Sequence, residues 1–158
     1  METNLDEAVW QPHDRALLER SLELSAAATL AETGRAEAVE FGVMFGTDEQ
    51  IAALNRDWRG KPTPTNVLSW PAEQLRPGAP PPPYWGDLAF AQGVVEREAL
   101  ERHETVERYL CVLTVHGLLH CLGYDHQTDD EAERMERLEA RVLARLGLPD
   151  PYAGTEPL

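Results

Sequence analysis

Between His116 and His126 the chain reads HGLLHCLGYDH, and no other stretch restricts the fold as strongly. His116 and His120 are four apart, which in a helix puts both imidazoles on one face, one turn from each other. Gly123 follows, and glycine enters the left-handed region without steric cost, so the helix can end there and the chain double back. His126 then returns to the same point. The spacing His-x-x-x-His-x-x-Gly-x-x-His thus specifies a helix, a reversing turn and a third converging imidazole together.

Three neutral imidazoles fill three corners of a zinc tetrahedron and leave the fourth open, as in a catalytic rather than a structural site. Such an ion lowers the pKa of its bound water to roughly 7 and polarises the oxygen under attack, so hydrolysis is the natural chemistry and one zinc per chain is expected. A structural ion would instead be closed by a fourth protein ligand, for which Cys121 and Asp125 are the candidates. The metzincin peptidases share this spacing, with a glutamate after the first histidine as general base. Gly117 occupies that position here, so a peptidase would lack its proton acceptor. Asp125 can serve as a base or as a structural residue of the Gly-Tyr-Asp turn, and both readings stay open. His13 and His103 read as surface or capping groups, His103 being a distant candidate for a neighbour of the site.

The periodicity around this motif mixes helices and strands. Asp14 to Leu30 has helical spacing, and Val39, Phe41, Val43 and Phe45 alternate as in a strand with one face better buried. A helix capped by Asp48 should place Ile51, Leu54 and Trp58 on its inner face. Two prolines in KPTPTNVLSWP exclude a helix, and Val67 to Trp70 reads as a short strand. RPGAPPPPYWG is a stiff proline-rich loop and WGDLAFA another strand. Helices are expected over Gln92–Leu100, Thr105–Leu122 and Asp129–Leu146, the last opening with acids and closing with Arg141 and Arg145 as the helix dipole favours. The fold class is α+β, and 158 residues suit one compact domain spanning 1–158.

Charge narrows the function. The net charge of −14 opposes a general polyanion binder, so contact with nucleic acid has to rest on a local patch. Arg56, Arg59 and the single lysine, Lys61, form the one concentrated cationic stretch outside an expected helix, and guanidinium groups suit phosphate because they donate two parallel hydrogen bonds. Cys111 and Cys121 sit about 15 Å apart along one expected helix, too far to bridge, and read as small buried hydrophobes of a reducing compartment. The stretch METNLDEAVWQPHD has neither a basic nor an apolar leader region, and no long apolar run occurs, so a soluble cytoplasmic protein without membrane contact is expected.

With these residues in place the sequence resembles the YbeY family of bacterial single-metal endoribonucleases. The likeness lies in HGLLHCLGYDH, in LNRDWRGKPTPTNVLSWP, in WGDLAFA and in EAERMERLEARVLARLGLPDPY, which cover most of the chain from Leu54 to Tyr152 in matching order. It departs at Trp70, where phenylalanine is usual, and at Cys121, where a larger apolar residue is common. The resemblance implies a four-stranded mixed sheet packed with about five helices, a zinc ion held by His116, His120 and His126, and Arg59 beside the cleft. His116 and Arg59 would carry catalysis, with Arg56 and Lys61 binding substrate. It further implies single-strand-specific cleavage in 3′-end maturation of 16S ribosomal RNA, ribosome quality control, a small-subunit ribosomal protein as partner, and no DNA substrate. A non-catalytic assembly factor braced by its metal, or an atypical metallopeptidase, are the alternative readings.

Overall fold

The computed structural model describes residues 2–5, 10, 13–33 and 39–152. Four strands form one mixed sheet in the order β1-β2-β4-β3: β1 (Glu2–Leu5), β2 (Glu40–Gly46), β3 (Val67–Pro71) and β4 (Tyr84–Ala91). β1, β2 and β4 run parallel, and β3 pairs antiparallel with β4. As an edge strand, β3 tolerates Pro71, which has no amide proton to offer a further neighbour. Five helices are described: α1 (Arg15–Glu32), α2 (Asp48–Arg59), α3 (Gln92–Glu101), α4 (Val106–Cys121) and α5 (Asp129–Arg145). The expected α+β class, four strands and five helices are all present, with helix ends displaced by one or two residues from those read in the sequence.

Alternation along the strands divides the apolar side chains between two layers. Phe41, Val43, Phe45, Leu88 and Phe90 face a large core shared with α1, α4 and α5. Leu68, Ala89 and Ala91 face the opposite side, where a smaller cluster adds Ile51 from α2 and Val94 from α3. α4 packs between the sheet and the flanking α1 and α5, so its residues are buried nearly all round. α5 is tied to α1 through Glu32, whose carboxylate receives Arg141 at 3.1 Å and Arg145 at 2.6 Å.

Three sequence expectations need correction. Asp48 does not cap α2: Thr47 does, in a capping box with Gln50, while Asp48 accepts from the amides of Gly93 and Val94 at 2.8 and 3.2 Å. It therefore caps α3 from another helix, where Ala91 at the cap position has no side chain for the task. Trp58 is not on an inner face but 69% exposed, while Ile51 and Asn55 take the buried positions of α2. His13 is neither a surface group nor a cap: its ring lies on Trp10, and Nε2 meets the Glu96 carboxylate at 2.6 Å.

Candidate metal centre

α4 is a sixteen-residue helix from Val106 to Cys121, and the sequence sets both its ends. Thr105 caps the start by accepting from the amide of Arg108, and Gly123 closes the finish at φ 96°, where its amide and that of Tyr124 bond to the carbonyls of His120 and Leu119. The reversal carries His126 back toward the helix. The ring centroids of His116 and His120 lie 4.5 Å apart, those of His116 and His126 5.9 Å, and those of His120 and His126 5.1 Å. One nitrogen from each ring falls within 4.8 Å of the others.

Hydrogen bonding fixes which nitrogens face inward. His120 Nδ1 stands 2.9 Å from the Tyr124 carbonyl, which can only accept, so Nδ1 carries the proton. His116 Nδ1 stands 2.8 Å from Oε1 of Glu139, and an ionised carboxylate likewise only accepts. With Nδ1 as the protonated nitrogen in each ring, the lone pairs fall on the two Nε2 atoms, which face each other at 3.0 Å. Two lone pairs at that distance repel unless a cation lies between them. Tetrahedral Zn–N bonds of about 2.0–2.1 Å put ligand nitrogens roughly 3.3 Å apart, close to what the chain presents. Burial, followed by the neighbouring His116, lowers the His120 pKa to about 4, so this ring is neutral at physiological pH, as a metal ligand has to be. The donor set thus fits a divalent ion of the zinc type.

Glu139 is the residue that sequence reasoning missed. It is 1% exposed, lies on the inner face of α5 with Met135, Leu138 and Val142, and accepts from the Tyr152 hydroxyl at 2.8 Å through its other oxygen. The carboxylate and the phenol hold the His116 ring from behind, as the partners of metal-binding histidines generally do. The missed signal was an acid four residues after Met135 and three before Val142, inside the apolar stripe of an otherwise acidic helix.

The other named residues divide by position. A cleft of about 570 Å³ is lined by Arg59, Ser69, Pro71 and Leu75 together with His120, Asp125 and His126. Arg59 is the last residue of α2, exposed, ahead of Gly60 at φ 71°. Arg56 pairs with Asp57 at 3.3 Å, and neither Arg56 nor Lys61, both exposed, lines this cleft. Asp125 lines it, while its Oδ1 accepts from the His126 amide at 2.8 Å. Cys121 is 1% exposed and packs toward Gly86, apart from the histidine cluster. His103 is exposed, in the left-handed region at φ 55°, and does not line the cleft. Gly117 is buried against β4, where an added Cβ would come within 2.7 Å of Leu88 Cδ2. A side chain at the position where a metzincin carries its glutamate would therefore have to displace Leu88.

The family model of endoribonuclease YbeY matches residues 5–147. Among named relatives, an endoribonuclease YbeY of Allorhizobium ampelinum is 53% identical over 75% of this chain and 71% of its own length. One of Sinorhizobium medicae is 47% identical over 94% of this chain and 92% of its own. The solution structure of a Thermotoga maritima protein shares the fold at TM-score 0.54 and 24% identity, over 93% of this chain and 92% of that one. On the family match and these identities, the chain belongs to the endoribonuclease YbeY family.

Proposed function

We propose that the chain is a zinc-dependent, single-strand-specific endoribonuclease acting on the 3′ end of 16S ribosomal RNA in maturation and ribosome quality control, in the cytoplasm. The observation that carries the reading is the pair of opposed Nε2 lone pairs, in a chain whose His120, His126 and Arg59 line one cleft. His116, His120 and His126 would hold the ion, which supplies Lewis acidity at the scissile phosphate. The chain's own groups do the rest. Glu139 and the Tyr124 carbonyl keep two imidazoles in one tautomer, and Arg59 meets the non-bridging phosphate oxygens, whose charge grows in the transition state.

The net charge of −14 supports a further element of the reading. A chain so acidic gains little from counterion release on bare RNA, which suits delivery to the substrate by a small-subunit ribosomal protein. No DNA substrate is proposed. The peptidase alternative is disfavoured by Gly117, which leaves no carboxylate where a metzincin carries its general base.

Metal analysis of the purified protein, joined to cleavage of small-subunit ribosomal RNA by the wild type and by His116→Ala, tests the proposal. About one zinc per chain and cleavage, both lost in the variant, are expected. Cleavage that survives with the metal gone would defeat it. The end groups identify the nucleophile: a 2′,3′-cyclic phosphate reports the RNA 2′-hydroxyl, and a 3′-hydroxyl or plain phosphate reports water.

A further inference from the structure

A second concavity, of about 710 Å³, lies on the sheet face that α2 and α3 only partly cover. Its floor is a row set by strand register, Gly42 beside Asp87 beside Trp70, across β2, β4 and β3. Gly42 keeps the row open: a Cβ there would collide with the side chains of Asp87 and Tyr84. One wall is Trp58, which stands edge-on to Trp70 with centroids 6.5 Å apart and angled at 71°. Trp58 is 69% exposed, so its indole face is open to a ligand. Large aromatic groups held open on a sheet face are costly to leave in water and act as stacking platforms for unpaired bases.

This groove adjoins the metal cleft along one strand. Pro71 lines both, while Trp58 and Trp70 line the groove and their chain neighbours Arg59 and Ser69 line the cleft. A polymer that places a phosphate at Arg59 therefore meets an indole at the next residue. The Tyr84 hydroxyl donates to the Asp87 carboxylate at the groove floor, a polar pair that an apolar peptide side chain would desolvate without return but that can meet the amino edge of a base. We infer that the Trp58–Trp70 groove is a nucleobase-stacking subsite for the nucleotide flanking the phosphate held at Arg59. The inference rests on the proposed function and extends it: bases in a duplex are already stacked and cannot reach the indole, so the groove selects single strands.

The test uses the full-length, metal-loaded chain and a single-stranded RNA of about eight nucleotides carrying 2-aminopurine, whose fluorescence is quenched on stacking. Trp58→Ala should weaken binding about 10-fold or more and abolish the quenching, with metal content unchanged. Trp58→Phe should recover most of the affinity and Trp58→Leu little of it, since only an aromatic ring stacks. Unchanged affinity and quenching in Trp58→Ala would overturn the inference and leave the face to a protein partner. Equal recovery by leucine and phenylalanine would overturn it as well, in favour of simple apolar contact. If the wild-type protein cleaves the strand in either of these cases, the proposed function stands without the subsite. If the wild type neither binds nor cleaves single-stranded RNA, the proposed function itself falls.

Discussion

The Tyr152 hydroxyl donates to Oε2 of Glu139 at 2.8 Å, and Oε1 of the same carboxylate accepts from Nδ1 of His116. A residue seven positions beyond α5 thereby orients an imidazole on α4 through one buried acid. Removing the acid should release the ring. We predict that Glu139→Gln lowers zinc affinity about 10- to 100-fold in competition with a chelator. Tyr152→Phe, which takes the donor from Oε2 of the buried acid, should cost about 1–3 kcal/mol of stability and lower zinc affinity less than Glu139→Gln does. Wild-type zinc affinity in Glu139→Gln would show that the carboxylate does not orient the ligand.

Arg59→Ala should retain fold and metal while cleaving RNA about 10²- to 10³-fold more slowly, the usual effect of losing one preorganised donor to a developing oxyanion. Arg59→Lys should recover part, since an ammonium supplies charge without the bidentate fork. Arg56→Ala and Lys61→Ala, outside the cleft, should chiefly reduce the salt dependence of binding. Turnover by folded, metallated Arg59→Ala at the wild-type rate is the outcome that would remove Arg59 from the reaction.

Asp48 offers a stability test remote from the chemistry. Its carboxylate caps α3 from the first turn of α2, so Asp48→Ala should cost about 1 kcal/mol, comparable to the loss of the α2 cap in Thr47→Ala. Urea denaturation of the two variants checks this. A neutral Asp48→Ala would mean that water replaces the carboxylate at no cost.

Burial, with a smaller contribution from Asp87, pushes the Cys121 thiol up to about 12, and burial raises Cys111 too. A raised pKa leaves less thiolate at any pH below it, and the thiolate is the form that reacts. At pH 8 neither cysteine of the native protein should be alkylated by iodoacetamide, and both should react in urea. Mass spectrometry reads the outcome, and rapid native labelling of Cys121 would contradict its placement.

The parts legible in the sequence were those in which spacing alone carries the geometry. His116, His120, Gly123 and His126 needed no tertiary information, because helix pitch and glycine's freedom bring the three rings together. Glu139 stayed hidden among the acids of EAERMERLEAR, distinguished only by its register relative to Met135 and Val142. Trp58 was misplaced because an apolar stripe does not tell whether the surface facing it is packed or left as an open groove. Three strands could be read from residue patterns; the family resemblance implied a fourth without placing it, and the four residues of β1 have too little alternation to mark them. The exchange of roles between Thr47 and Asp48 depended on α3 lying alongside, which no local pattern records.

Gly123 combines two requirements of different origin. Its backbone angle belongs to the end of α4, while its missing Cβ makes room for the proline-rich loop, whose Leu75 carbonyl carbon would lie 2.7 Å from any Cβ added there. A second-site change that shifted the loop would leave the angle unfavourable, and one that relaxed the helix end would leave the collision. In genetic terms, a Gly123 substitution has no single-step suppressor elsewhere in the chain, and revertants should map to the codon itself.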